Sequence, residues 1–575
     1  MTLLLAISAA FATDAFDPAT PAARFEGKET WTQPEDVRLW NAIERWEDIE
    51  PGLFGQPSFT NGVAWADADF SPWIATAFGT STPSNAQFLL HVGLNEEAAS
   101  GTPILFVHGA GDNASRGFIT LATRMDRTQR PVFAITFAHP HDDVFPQAEV
   151  VADAIAVIKE RTGAEKVDVV AHSKGGIAAT IYASNHPGAD WGRADYADHG
   201  TLYRGDIRRL LLIATPLGGV DTMYRWTNLN LFALDGEEAI SPTAWSTYYP
   251  NTSSVPLVSE DLSDQDMLPD GADYFPGQRQ LLAPLRDLHP LPGSQSWLGV
   301  YALQTDWLST YEGGLGFYSY SEGIEAAIDA GGNLIERLRD VGVDPAVEVF
   351  LLAGDHPIMP NGDEDLARSF DSLSDVVDYE ELIEEANARG IPISISFDEL
   401  YGLENGDLVL GELTGSSDGL VFVESAVFAS AVDARGAEVV ETRVAHLSHL
   451  DLLYASPITG QLLVDLAEQG GIDDTWAKGV GERYTREDTL GWIEGVLADD
   501  ASTSADTGDT GTGPTGSRPS VTGDEASDFA RPCGGCSVGT ARTTGVLALS
   551  ILPLWRRRRN QAQRGPIDTP EALPR

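Results

Sequence analysis

Six residues restrict the fold of this chain more than any other stretch. Ala171-His172-Ser173-Lys174-Gly175-Gly176 follows directly on the apolar run Val167-Asp168-Val169-Val170. It leads into Ile177-Ala178-Ala179-Thr180-Ile181-Tyr182. The pattern reads as strand, tight turn and helix, with a serine at the apex. A turn this sharp leaves room only for small residues two before and two after the serine, and Ala171 and Gly175 stand there. Such a turn lifts the hydroxyl above the sheet. It also aims a helix N-terminus at the site, where the dipole favours developing negative charge. A serine that merely capped a helix would not need the small flanks. Ser173 is therefore the expected nucleophile.

The surroundings supply the sheet. Ile104-Leu105-Phe106-Val107, Val132 to Phe137 and Arg209 to Ala214 are further strand-like runs, and Val150 to Ile158 reads as a helix face. Buried strands alternating with helices predict a parallel α/β sheet. The first of these runs ends in His108-Gly109-Ala110-Gly111. A glycine-rich turn there can present a backbone N–H to the serine. The expected oxyanion hole is the N–H groups of Ala110 and Lys174. His108 precedes the nucleophile on a strand end, so it is expected to orient the turn rather than act as the base.

Charge narrows the partners. The 575 residues carry 86 acidic against 37 basic side chains, a formal charge of −49. Such a surface repels nucleic acid and anionic membrane, so no DNA or RNA partner is expected. Solubility accounts for it, as does adaptation to salty surroundings. The hydrophobic content of 42% is enough for a sizeable core. The two cysteines, Cys533 and Cys536, lie near the C-terminus, so the body has neither a disulfide framework nor a thiolate zinc site.

Val107-His108-Gly109 followed by Ala171-His172-Ser173-Lys174-Gly175-Gly176 resembles bacterial true lipases of the α/β-hydrolase fold, and the A-H-S-x-G-G form is similar to that of the small Bacillus-type lipases. Thr215-Pro216-Leu217-Gly218-Gly219 looks like the segment such lipases carry at that place. The resemblance spans about residues 100–220 and 405–470, well under half the chain. It implies an α/β-hydrolase domain over 101–498, after an N-terminal extension and first strands at 13–100. The central sheet would be mostly parallel, with helices on both faces and a cap or lid insertion over about 220–345.

In that fold the chain order is nucleophile, acid, histidine. His449, in Ser448-His449-Leu450-Asp451, follows a strand-like Ala437-Glu438-Val439-Val440 and resembles the catalytic-histidine region of bacterial lipases. His446 competes with it. Two acids are open. Asp418 stands in Gly415-Ser416-Ser417-Asp418-Gly419-Leu420-Val421, a pattern that resembles the lipase acid loop. Asp355 ends the apolar strand Val347 to Ala353, in Gly354-Asp355-His356. Asp418 is preferred for its fuller pattern and its nearness to His449 in sequence. The chemistry needs no metal or cofactor. Calcium near Asp451 or Asp418 occurs in some related lipases, and nothing in this sequence demands it.

The expected insertion is rich in aromatic residues, among them Trp226, Phe232, Trp245, Tyr248 and Tyr311. These suit an acyl chain or simply pack a cap on its core. A lipid or ester substrate follows from the resemblance. Other acyl hydrolases or acyltransferases on this fold, such as a polyester depolymerase or a peptidase, remain open. So does a non-catalytic surface-binding protein.

Both ends read as export signals. Residues 3–12 form a short apolar run ending in Ala10-Phe11-Ala12, an A-x-A cleavage pattern that makes 1–12 a signal peptide. Residues 499–531 are Ser, Thr, Gly, Asp and Pro with almost no apolar content, a linker that cannot offset its own ordering entropy. Cys536, an apolar stretch from Gly545 to Trp555 and the cluster Arg556 to Arg559 then make a three-part segment over 532–560, with a tail at 561–575. It resembles the myxobacterial C-terminal sorting signal, which implies attachment to the cell envelope.

Overall fold

The computed structural model describes residues 29–31, 40–48, 53–54, 73–80, 82–94, 100–126, 128–222, 276–289, 311, 314–315, 320–321, 324–360, 407–409, 415–456 and 487–498. The expected leader, linker and C-terminal segment lie outside the described residues. So does most of the expected insertion.

Nine strands form one sheet. They are β1 (Glu29–Trp31), β2 (Ala42–Glu47), β3 (Gln87–Val92), β4 (Ile104–Val107), β5 (Val132–Phe137), β6 (Val167–His172), β7 (Ile207–Ile213), β8 (Glu348–Gly354) and β9 (Val439–Ala445). Their spatial order is β1-β2-β3-β5-β4-β6-β7-β8-β9. From β5 to β9 every pairing is parallel. The first three strands join antiparallel. This order and mostly parallel sheet are consistent with the α/β-hydrolase fold.

Alternate strand residues face two separate cores. Leu105, Val107, Phe133, Val169, Ala171 and Leu212 pack into one cluster with α2 (Val144–Thr162), α3 (Lys174–Ser184) and the helices α5 (Ile324–Ala330) and α6 (Leu334–Val341). Ile104, Phe106, Ala134, Val170, Leu211 and Leu352 pack into the other with α1 (Ala114–Asp126) and α7 (Thr489–Leu497). The central strands are apolar on both faces because helices cover both, giving three layers. Residues 324–341, within the stretch expected as an insertion, thus belong to the core of the domain. Among the described residues no helix is long and apolar enough to cross a membrane.

One strand runs past its expected span. β9 reaches Ala445, whereas its apolar pattern stops at Val440, because Glu441, Thr442 and Arg443 lie on an edge strand that needs no second buried face.

The order of the parallel strands places the crevice. Connections leave β4 towards β5, then cross back to β6 and continue outwards, so the direction reverses beside β4 and β6. Ligands of open α/β sheets bind outside the carboxyl ends of the strands at such a reversal. The turn after β4 and the turn after β6 both end there.

Candidate active site

Ser173 sits between β6 and α3 with φ 51° and ψ −128°. A non-glycine residue at positive φ is strained, by on the order of 1–3 kcal/mol, and persists only when its surroundings over-determine it. Those surroundings are visible. The Ser173 amide donates to the carbonyl of Ile213 on β7 at 2.8 Å, and the Gly176 amide donates back to the Ser173 carbonyl at 2.9 Å. A Cβ on Gly175 would stand 2.2 Å from the His108 carbonyl oxygen, and one on Gly176 would stand 1.9 Å from Thr215 Oγ1. Both glycines are thus required by close approach of neighbouring chain. The A-H-S-x-G-G pattern and the Thr215 segment are two sides of one packing contact.

The turn after β4 closes over the serine. A Cβ on Gly109 would lie 2.9 Å from Ser173 Cβ and 3.2 Å from His172 Nδ1. His108 is fully buried and fixes this turn from below. The Phe137 amide donates to His108 Nε2 at 3.1 Å. Nε2 is therefore the acceptor, and Nδ1–H donates to the Gly109 carbonyl at 2.8 Å. Both nitrogens are engaged in structure, which leaves His108 no part as a base. Ala110 follows in the same turn, and Lys174 is the first residue of α3.

His449 and Asp418 meet beside this elbow. His449 Nδ1 lies 2.8 Å from Asp418 Oδ2, with both residues buried. The other oxygen, Oδ1, accepts from the amides of Leu420 at 3.0 Å and Val421 at 2.7 Å. With Oδ1 taken by two amides, Oδ2 is the acceptor that faces the ring, so Nδ1–H donates to it and Nε2 keeps its lone pair. The His449 amide donates to the Asp418 carbonyl at 3.0 Å, which binds the two loops backbone to backbone.

The rival acid and the rival histidine also meet, but with each other. His446 Nδ1 lies 2.9 Å from Asp355 Oδ1, and the side chains are 52% and 35% exposed. The His446 ring is tilted against His356 at 4.4 Å. The two acids share a strand end. Asp355 directly follows Gly354, the last residue of β8, and a Cβ on Gly354 would touch Asp418 Cβ at 2.9 Å. One acid faces inward to His449 and the other outward to His446.

Two buried side chains flank Ser173 with no role expected of them from sequence, which assigned Lys174 only a backbone N–H. His172 Nε2–H donates to the His449 carbonyl at 3.0 Å, and the two rings lie 4.7 Å apart. Burial, and then the neighbouring His449, hold the His172 pKa well below the usual histidine value. Its Nδ1 has no hydrogen-bond partner among the described residues. Lys174 is also buried, and its Nζ donates to Gln147 Oε1. Burial lowers its pKa to about 7, against the opposing charges of Asp142 and Asp143. Asp142 is moved the other way, up to about 6, by burial and then by Asp143. The sequence held one signal for Lys174, a charged residue one step into a buried helix. It held none for His172, whose partner is a backbone atom far along the chain.

The loop after β7 ties the acid loop to the elbow. The Ser425 hydroxyl donates to the Gly219 carbonyl at 2.6 Å, and the Gly218 amide donates to the Ser425 carbonyl at 3.0 Å.

The model of the lipase (class 2) family matches residues 101–182. That stretch runs from β4 through the Gly109 turn and the Ser173 elbow into α3, and it supports a lipase or esterase hydrolase. No curated protein matches the chain. Among solved structures, a mature Bacillus licheniformis lipase aligns at 15% identity over 67% of this chain and 98% of its own, with a TM-score of 0.27. A thermostable carboxyl esterase from Bacillus coagulans aligns at 12% identity over 47% of this chain and 77% of its own, with a TM-score of 0.23. A Paleococcus ferrophilus monoacylglycerol lipase aligns at 14% over 44% and 76%, with a TM-score of 0.21.

Proposed function

We propose that this chain is a serine ester hydrolase, a lipase or carboxylesterase, working through Ser173, His449 and Asp418. The observation that carries the reading is the buried His449–Asp418 pair beside a serine held at positive φ on a strand-to-helix turn. His449 Nε2 takes the proton of the Ser173 hydroxyl as its oxygen attacks the acyl carbon. Asp418 holds the imidazole in the tautomer that can accept and stabilises it once charged. The backbone N–H groups of Ala110 and Lys174 receive the oxyanion, helped by the N-terminus of α3. The imidazolium returns its proton to the leaving alcohol, and an acyl-enzyme remains. Water, deprotonated by His449, attacks the acyl carbon. The acid is released and Ser173 regains its proton.

The substrate is a lipid or other carboxylic ester. The protein is exported, with residues 1–12 as its leader and residues 532–560 holding it to the cell envelope. Its activity is tested by hydrolysis of p-nitrophenyl esters from acetate to palmitate and of emulsified triacylglycerol, with peptides as the contrast. Release of alcohol from esters, abolished in Ser173→Ala, is expected. Cleavage of peptides but of no ester would overturn the assignment.

A further inference from the structure

The residue after the nucleophile carries more than a backbone amide. Lys174 opens α3, and the first amides of a helix have no acceptor within it. No helical hydrogen bond therefore fixes the direction of its N–H. Ser173 before it sits at φ 51° and makes no capping bond with its side chain. The lysine side chain does not run out to solvent; the residue is 1% exposed.

Its nitrogen begins a chain of hydrogen bonds. Lys174 Nζ donates to Gln147 Oε1, in the first turn of α2. Gln147 Nε2 donates to the His139 carbonyl at 3.0 Å. A carbonyl can only accept, so the NH2 group faces His139 and the amide oxygen is left for Lys174. Two residues beyond His139, the His141 ring lies against the turn after β4. A Cβ on Gly111 would stand 3.5 Å from His141 Cε1, and Gly111 directly follows Ala110. One buried glutamine thus links the residue behind the nucleophile to the loop that backs the Ala110 turn.

Neighbours keep the lysine on this path. A Cβ on Gly277 would lie 2.1 Å from Lys174 Cε and 2.0 Å from the Asp142 carbonyl oxygen, so the short helix Pro276–Arg279 presses on both. The Gly277 amide donates to the His141 carbonyl at 3.2 Å. The nearby carboxylates are engaged elsewhere. Asp142 accepts from Asn85 Nδ2 at 2.9 Å and from the Asp143 amide at 2.8 Å. Asp143 caps α2 through the Phe145 amide and accepts from Arg193, the residue before α4 (Ala194–His199), at 2.5 Å. Among the described residues Lys174 Nζ is bonded to a neutral amide, not to a carboxylate. A buried ammonium so partnered costs stability, and an apolar side chain of similar length would fill the space without that cost. Packing alone does not account for a lysine at this position.

We propose that Gln147 and the side chain of Lys174 are positioning residues of the oxyanion hole. The chain from Lys174 through Gln147 to His139 sets the Lys174 amide relative to the Ala110 amide, so that both meet the oxyanion. Neither side chain touches the substrate; each acts through the direction of a backbone N–H. A misdirected donor weakens binding of the transition state more than of the ground state. This inference rests on the ester-hydrolase reading.

Lys174→Met, Gln147→Met and the double variant, each in the full chain, are compared with wild type on p-nitrophenyl butyrate. A trifluoromethyl ketone of matching acyl length serves as inhibitor, because its adduct on Ser173 puts an oxyanion in the hole. Loss of an oxyanion donor costs about 10²–10³ in kcat, so a displaced one should cost about thirtyfold in each single variant. KM should stay within about twofold, and the ketone should bind more weakly by the same factor as kcat falls. Lys174→Met should melt no lower than wild type, which separates lost positioning from lost folding. The double variant should fall no more than about threefold below either single one, since the two residues form one chain. Wild-type kcat and ketone affinity in Lys174→Met would overturn the proposal. So would a rise in KM at unchanged kcat, or losses that multiply in the double variant. A wild-type chain that hydrolyses no ester would instead bring down the hydrolase reading, and this inference with it.

Discussion

Asparagine at position 418 changes one atom and reverses the logic of the dyad. Oδ1 of Asp418 accepts two backbone amides, from Leu420 and Val421, and an asparagine keeps those bonds only by leaving its oxygen there. Its NH2 group then faces His449 Nδ1, where Oδ2 stood at 2.8 Å. That nitrogen must become an acceptor, so the ring proton moves to Nε2 and the lone pair needed by Ser173 is gone. The charge is lost as well. Unit charges 2.8 Å apart interact by about 6 kcal/mol at an effective dielectric of ~20, an upper bound equal to roughly four powers of ten in rate. Asp418→Asn should therefore lower kcat about 10⁴-fold, in line with the cost of the wrong tautomer in serine triads. Asp355→Asn removes the partner of an exposed histidine, an interaction worth about 0–1 kcal/mol, and should leave kcat within about threefold. Initial rates on p-nitrophenyl butyrate, with circular dichroism to confirm folding, separate the two. The reasoning fails if Asp355→Asn loses as much as Asp418→Asn, or if Asp418→Asn keeps a tenth of wild-type kcat.

Two further substitutions probe the flanks of the nucleophile. His172→Phe deletes the hydrogen bond to the His449 carbonyl, and kcat on the same ester should fall about tenfold with KM little changed, the equivalent of about 1–1.5 kcal/mol. His172→Gln, which can still donate from that position, should recover most of the loss. Lys174→Met should stabilise the protein near pH 6.5 by about 1–2 kcal/mol in urea melts. The sign follows from burial. Lys174 titrates at about 7 when folded against 10.5 ordinarily, so the unfolded chain binds the extra proton between those values and wild-type stability rises with pH there. The advantage of Lys174→Met should therefore shrink towards pH 10.5. Asp142, raised to about 6, makes its own contribution fade as pH rises from 3.8 through 6, below this window.

What could be read from the sequence was local, and what escaped was long-range. The elbow was legible because its constraint is written in adjacent residues. Gly175 and Gly176 are glycines because the His108 carbonyl and Thr215 leave no room for a Cβ. The central strands were legible because both their faces are buried, whereas the polar end of β9 carried no apolar pattern to follow. The two acids could not be separated by spacing, since Asp418 returns to pack on Gly354, the residue before Asp355. What distinguishes them is the histidine each one meets, and that is set by the loop after β9.

The central claim is that Ser173 is an activated nucleophile, and covalent labelling tests it most directly. The folded, soluble protein is treated with a fluorophosphonate and the adduct is located by peptide mass spectrometry. One adduct on Ser173, lost in His449→Ala, is the expected result. An unlabelled Ser173 in folded protein, or a labelled side chain elsewhere with Ser173 untouched, would contradict it.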